Sequence, residues 1–154
     1  MKVNKVNKVN KVNEINGDLF ASNDNLVHWI SQDLRMGKGI ATQFKKRFGK
    51  IQELYHQRKK PGKVAFIQTA PNINGDRNYI FYMVTKTRYF QKPTYKDFNL
   101  SLEKLRDECI IKNIKTISMP RIGCGLDKLD WNIVKNSIEK LFSKTGITVN
   151  VYYL

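Results

Sequence analysis

Apolar residues cluster into short blocks along the chain, and their spacing assigns most of the secondary structure. Lys63–Thr69 and Tyr79–Thr85 are dense in Val, Ile, Phe and Tyr, and both predict strands. Between them Pro71–Arg77, with Asn74-Gly75-Asp76, predicts a hairpin connection. Thr116–Met119 is a shorter β-branched run that reads as a buried strand, stopped where Pro120 withdraws a ladder donor. Ile147–Tyr152 reads as a final buried strand, and a first strand is expected near Lys11–Ile15, before the turn Asn16-Gly17-Asp18. Helical spacing takes over elsewhere. Leu26, Val27, Trp29 and Ile30, behind the cap-rich segment Ser22–Asn25, predict a first helix. A second opens at Ile40-Ala41 and runs through Phe44 and Phe48 to Gly49, and Ile51–Arg58 forms a short third. Pro93-Thr94 begins a long helix with Phe98, Leu102, Leu105, Cys109 and Ile110 inward. The last helix is Trp131–Phe142, with Ile133, Val134, Ile138 and Leu141 inward. Strands alternating with helices predict an α/β sandwich around a mixed, largely parallel sheet.

The first dozen residues stand apart. They repeat Lys-Val-Asn with period three, which fits neither the strand nor the helix repeat. Residues 1–10 are therefore expected to be a low-complexity basic tail and residues 11–154 a single domain. At 154 residues the chain can bury a real core. No apolar run is long enough to span a bilayer, so no membrane partner is expected. Cys109 and Cys124 form no disulfide framework, which suits a reduced intracellular setting (cytoplasm, or nucleus in a eukaryote). His28 and His56 are unpaired and the cysteines lack zinc spacing, so no metal is expected. The formal charge of +15 changes the picture more. Such a balance attracts phosphate-bearing partners, whether nucleotide or nucleic acid, though a solvated lysine-rich surface would carry the same sum.

Two glycine loops carry the candidate chemistry. Ser118–Asp127, SMPRIGCGLD, is a strand that opens into Gly123 and Gly125 ahead of a helix. Met36-Gly37-Lys38-Gly39 leads into the helix that starts at Ile40-Ala41. Neither loop has P-loop spacing, and Thr42 stands where a dinucleotide fingerprint needs Gly or Ala. Two helix N-termini facing one crevice would nonetheless suit a pyrophosphate, through aligned amides and the helix dipole. Lys86 follows a strand end, where it is either solvated or a functional amine in the sheet's ligand crevice. Cys124 is read as a small residue that lets backbone approach phosphate, since no His lies near it to make it a nucleophile. Cys109 is read as core, and His28, on the predicted first helix, as a packed or surface side chain and not a catalyst.

Several runs in order carry a resemblance: Gly17-Asp18-Leu19-Phe20, RMGKGIA at Arg35–Ala41 with the following KKRFG, KPTY at Lys92–Tyr95, SMPRIGCGLD, and the terminal VYYL. From about Ile15 to Leu154 the chain closely resembles the macrodomain hydrolases of the terminal ADP-ribose protein glycohydrolase (O-acetyl-ADP-ribose deacetylase) family. No cofactor is expected, and the chain is expected to be a monomer. The resemblance implies a three-layer α/β/α macrodomain with ADP-ribose as ligand and product. It implies a catalytic pair, Lys86 as nucleophile and Asp127 as acid and base. Asp18 and Leu19 match the adenine end, and Ser31 the serine of the family's first helix. Arg121, Ile122, Gly123, Cys124, Gly125 and Leu126 match the phosphate loop, and Leu154 the terminal leucine near the ligand. Gly37, Gly39, Ile40, Ala41 and Thr85 complete the expected ligand contacts. The 70–74 connection is longer than usual in the family, and the Lys-Val-Asn tail is foreign to it.

The implied chemistry is removal of mono-ADP-ribose from ester-linked Glu and Asp side chains of protein. It suits these residue types. Positive charge develops at the anomeric carbon, and protons must move. The Lys86 amine would attack that carbon as the carboxylate leaves. An amine attacks only when neutral, whereas lysine is ordinarily protonated, so Asp127 would accept its proton. ADP-ribosylated proteins are the expected partners. Two rivals share the fold: a hydrolase of ADP-ribosylated DNA, antitoxin-like, which the basic charge would suit, and a reader that binds ADP-ribose without cleaving it.

Overall fold

The computed structural model describes residues 12–37, 39–70, 77–121 and 128–154. The Lys-Val-Asn tail and most of the predicted 71–77 hairpin connection lie outside them. Six strands form one sheet: β1 (Val12–Asn16), β2 (Asn25–Ser31), β3 (Lys63–Gln68), β4 (Tyr79–Lys86), β5 (Thr116–Pro120) and β6 (Thr148–Tyr153). Four helices accompany them: α1 (Gly39–Phe48), α2 (Ile51–His56), α3 (Tyr95–Ile111) and α4 (Trp131–Phe142). The strand order is β1-β6-β5-β2-β4-β3. Only β3 runs antiparallel to its neighbour; the other four pairings are parallel.

The sheet has an apolar layer on each face. Val27, Trp29, Phe81, Met83, Ile117 and Val149 pack against Phe98, Leu102 and Leu105 of α3 and Val134 and Ile138 of α4. On the other face Leu26, Ile30, Ile80, Tyr82 and Val84 pack against Phe44 of α1 and Leu54 of α2. This is the three-layer α/β/α arrangement that the resemblance implies. Cys109 lies in the α3 core as expected, and burial pushes its thiol pKa up to about 12, so it stays protonated.

The expected first helix is a strand. Asn25–Ser31 is buried at every position and sits between β5 and β4, mid-sheet. A strand covered on both faces is apolar throughout, and apolar residues at i, i+1, i+3 and i+4 then mimic a helical stripe. The polar run ahead of it does not cap a helix. The Ser22 and Ser118 hydroxyls donate to the Asp24 carboxylate at 3.2 and 3.0 Å, and the Ser22 hydroxyl also lies 3.0 Å from that of Ser118. The Asn25 carboxamide oxygen accepts from the Asn78 and Tyr79 amides at 2.8 and 2.9 Å, fixing the start of β2 beside β4. Two helix faces also differ from expectation: Ile110 and Ile133 are 54% and 46% exposed. Each falls one residue beside the stripe that meets the sheet.

The outer strand β3 is closed against edge pairing by side chains. Gln57 donates to the Phe66 carbonyl at 2.6 Å and accepts from its amide at 3.1 Å. Lys50 donates to the Gln68 carbonyl at 2.8 Å. An exposed ladder edge is a template for foreign strands, and these caps remove it.

His28 is on β2, not on a helix, and its ring stacks on Phe44 at 4.6 Å. Neither ring nitrogen has a partner among the described residues, and burial lowers its pKa to about 3. The unfolded chain takes up a proton near pH 6.5 while the folded one does not. Stability is therefore full above that pH and is lost as pH falls toward 3. Between about pH 7.5 and 5 the loss is about 2 kcal/mol. Urea unfolding at the two pH values should show that His28→Leu removes this part of the slope, and an unchanged slope would contradict it.

Candidate functional site

The five parallel strands end along one edge of the sheet, and the expected site residues follow those ends. Asp18 and Leu19 come after β1, Leu154 after β6, Arg121 after β5, Gly37–Ala41 after β2, and Thr85-Lys86 close β4. In spatial order the edge reads Asp18, Leu154, Arg121, Ser31, Lys86. Four interstrand spacings separate β1 from β4, so this row spans about 19 Å. Ile122–Leu126 and Asp127 lie outside the described residues.

The row has an opening near its middle. From β2 the chain turns toward β4 and β3, and from β5 it turns the other way, toward β6. Strand order thus reverses between β2 and β5, the place where open α/β sheets hold ligands. The register of β2 with β5 covers Asn25–Ile117 and Leu26–Ser118, at the far end from the site.

On one side of this opening a bulge between Ile30 and Ser31 shifts the register so that Ser31 faces Lys86 across the β2–β4 ladder. Ser31 therefore ends a strand; it is not on a helix. The following loops are stitched together. Gln32 and Asp33 amides donate to the carbonyls of Lys86 and Thr87 at 2.8 and 3.2 Å. Asp33 completes the seam. Its carboxylate accepts from the Ser31 hydroxyl at 2.5 Å, the Arg35 amide at 3.2 Å and the Tyr89 amide at 3.1 Å. Burial works to raise the Asp33 pKa, but these hydrogen bonds outweigh it and hold the carboxyl below its ordinary range. Sequence reasoning missed Asp33, although the Ser-x-Asp spacing is the signature of such local turns. Thr85, fully buried beside Lys86, has a hydroxyl without a partner among the described residues.

The glycine loop after β2 enters α1 at Gly39, whose φ of +60° is costly for any other residue. No acidic residue occupies the first turn of α1, so its amide end keeps its attraction for anions. At the β1 end, Asp18 caps a 3-10 turn (Leu19–Ala21) by accepting from the Phe20 amide at 3.0 Å, and Leu19 is buried beneath it. Leu154 is 98% exposed.

Arg121 is differently placed. Its guanidinium donates to Glu14 at 2.9 Å and lies 4.5 Å from the Tyr153 ring centroid. Trp131 and Lys135 also donate to Glu14, at 3.0 and 2.9 Å. Hydrogen bonding from Lys135 is the largest influence on Glu14 and lowers its carboxyl pKa. Arg121 thus ties the start of the second glycine loop to β1 and α4. Tyr95 of the KPTY run secures the loop's exit, since its hydroxyl accepts from the Asp130 amide at 2.9 Å. Among the described residues no cluster of His, Cys, Asp or Glu is placed to hold a metal, and no helix is long and apolar enough to cross a membrane.

Comparison with known proteins decides the family. The Macro domain model matches residues 27–138. The chain belongs to the macrodomain family. A bovine relative, ADP-ribose glycohydrolase OARD1, is 49% identical over 140 residues, covering 90% of this chain and 88% of its own. The human protein of that name is 48% identical over the same share. The DNA ADP-ribosyl glycohydrolase of Mycobacterium tuberculosis is 30% identical over 84% of this macrodomain but only 38% of its own length. Among solved structures, the macrodomain of Thermus aquaticus DarG superposes with a TM-score of 0.81 at 24% identity, covering 94% and 99% of the two chains. The fold is therefore shared well beyond sequence similarity, and the protein is a macrodomain enzyme of the hydrolase class.

Proposed function

We propose that this macrodomain removes mono-ADP-ribose from ester-linked Glu and Asp side chains of proteins and releases acetate from O-acetyl-ADP-ribose. The observation that supports this best is the order of residues along the sheet edge. The resemblance assigns Asp18 and Leu19 to adenine, the two glycine loops to the phosphates and Lys86 to the distal sugar. The strand order lays those positions out in that same sequence over about 19 Å, a length suited to two nucleoside-like ends joined by a pyrophosphate. Names borne by the relatives, ADP-ribose glycohydrolase above all, agree with it.

In this reading ADP-ribose is ligand and product, and no cofactor takes part. The neutral Lys86 amine attacks the anomeric carbon, the glycosyl–oxygen bond breaks, and the carboxylate or acetate leaves with its electron pair. Asp127 takes the lysine's proton and passes it to the departing carboxylate; as a carboxylate again it takes a proton from water, which displaces the lysine amine and frees ADP-ribose, and the proton returns to the lysine. Ser31, opposite Lys86, and Asp33, which anchors Ser31, position the strand ends.

A second reading keeps the chemistry and takes DNA as the carrier, favoured by the +15 charge and the DNA ADP-ribosyl glycohydrolase relatives. The test sets glutamate-linked ADP-ribosylated protein beside ADP-ribosylated DNA and follows free ADP-ribose. Faster release from protein is expected. Release only from DNA would replace the first reading with the second, and label retained on both would leave a non-catalytic reader.

A further inference from the structure

Beside the candidate site, on the α2 side of the sheet, a cavity of about 630 Å³ opens at the same edge. Its floor is apolar, formed by Ile30, Ala65 and Val84. Its rim is basic: Arg58, Lys59, Lys60 and Arg88 all line it and all are exposed. Among the described residues Asp33 is the one acid on its wall, and that carboxylate is already held by Ser31, Arg35 and Tyr89. Among the described residues the cavity therefore presents four cations with no free acid on its wall.

Cations alone would describe any solvated lysine face, but this rim also exposes aromatic rings. Tyr55, on the cavity wall, is 55% exposed. Tyr89 and Phe90, which follow Arg88, are 49% and 72% exposed. Their rings meet edge to face at 5.5 Å, and the Arg35 guanidinium lies 4.7 Å from the Tyr89 centroid. Large apolar side chains left in water beside a cationic cleft cost solvation and call for a partner with both flat faces and negative charge. Single-stranded nucleic acid has both: bases stack on rings while phosphates follow the cations. An acidic peptide would satisfy the lysines and arginines but has no use for the rings.

We propose that this cleft and the Tyr89-Phe90 rim form a docking surface for single-stranded nucleic acid. Bases stack on Phe90, Tyr89 and Tyr55, and phosphates lie against Arg58, Lys59, Lys60 and Arg88. The surface begins two residues after Lys86, so a strand seated there would carry an attached group toward the reacting end of the site. That last point rests on the function proposed above, whereas the binding itself does not.

The test is fluorescence anisotropy of the full chain with a short labelled oligodeoxythymidine, beside a labelled poly-glutamate peptide of equal charge. Three to four phosphate contacts predict that oligonucleotide affinity falls about 20- to 50-fold between about 50 and 200 mM salt. Phe90→Ala should weaken binding roughly 5- to 100-fold while leaving the salt dependence unchanged. Lys59→Glu with Lys60→Glu should weaken it and flatten the salt dependence. Both sites are exposed, and thermal melts of the variants should match the parent. Poly-glutamate binding as tight as the oligonucleotide, with Phe90→Ala neutral, would make the surface a peptide site and overturn the proposal. No oligonucleotide binding, or binding that ignores both variants, would overturn it too. O-acetyl-ADP-ribose needs no docking surface, so its hydrolysis should be unchanged in every variant. Absence of that activity in the parent would count against the hydrolase reading alone.

Discussion

Lys86→Ala is expected to abolish turnover of ester-linked ADP-ribose, by about a thousand-fold or more, while ADP-ribose still binds within about threefold of the parent. The split follows from the different work done by the two groups of residues. In the proposed reading affinity would come from the row of strand ends and glycine loops, most of which an alanine at the end of β4 leaves untouched. In the proposed mechanism rate would depend on one amine meeting the anomeric carbon, and neither water nor a neighbouring serine would replace a covalent nucleophile at that spot. Single-turnover assays with titration calorimetry would measure both. Near-normal turnover in the variant would remove Lys86 from the chemistry. Loss of ADP-ribose affinity in step with turnover would instead make it a binding residue.

Phe44→Ala should destabilise the protein by about 3–5 kcal/mol, the range for deleting a fully buried ring. Phe44 is 0% exposed, and four rings surround it: Phe20 at 5.0 Å, His28 at 4.6 Å, Phe48 at 5.9 Å and Tyr82 at 6.0 Å. Few apolar groups are free to collapse into the space, because His28 and Tyr82 belong to central strands. The ring also fixes the first glycine loop, since it pins the helix that begins at Gly39 to the sheet. Urea unfolding should therefore show the stability loss, and calorimetry a weakened ADP-ribose affinity at temperatures where the variant remains folded. Ile133→Ala is the contrast. Sequence periodicity places it inward, but at 46% exposure it should cost no more than about 0.5 kcal/mol. A small effect at Phe44, or a large one at Ile133, would mean the two layers are packed differently from this description.

Legibility in the sequence followed burial. Strands with one strong signature, such as Lys63–Gln68 and Tyr79–Lys86, were readable from composition, as were helices with a polar outer face such as Trp131–Phe142. The central strand Asn25–Ser31 was not. Burial on both faces erases the alternation that marks a strand, and the polar residues before it resemble helix caps although their partners are Ser118, Asn78 and Tyr79. Ile110 and Ile133 show the converse error. An apolar side chain at the border of a stripe reads as core, and only the crossing of helix over sheet decides which side of the border it takes. In the candidate site, motif order nominates Lys86, Ser31 and Asp18. It was not enough to show that Ser31 sits opposite Lys86, which depends on a one-residue bulge, or that Asp33 seams their loops together.

By itself the sequence determined the class of fold, the family and the chemical kinds of group available, because those rest on local periodicity and on motifs short enough to be read in one dimension. The tertiary structure decided how those groups are arranged. Reversal of strand order between β2 and β5 sets the candidate residues in a row at one edge, and it turned the Arg121 guanidinium to Glu14. It also gathered Arg58, Lys59, Lys60 and Arg88, from two distant stretches, around one cleft. Pairing between segments dozens of residues apart is what set those neighbours, and such pairing is selected by the packing of the whole sheet rather than by any one segment.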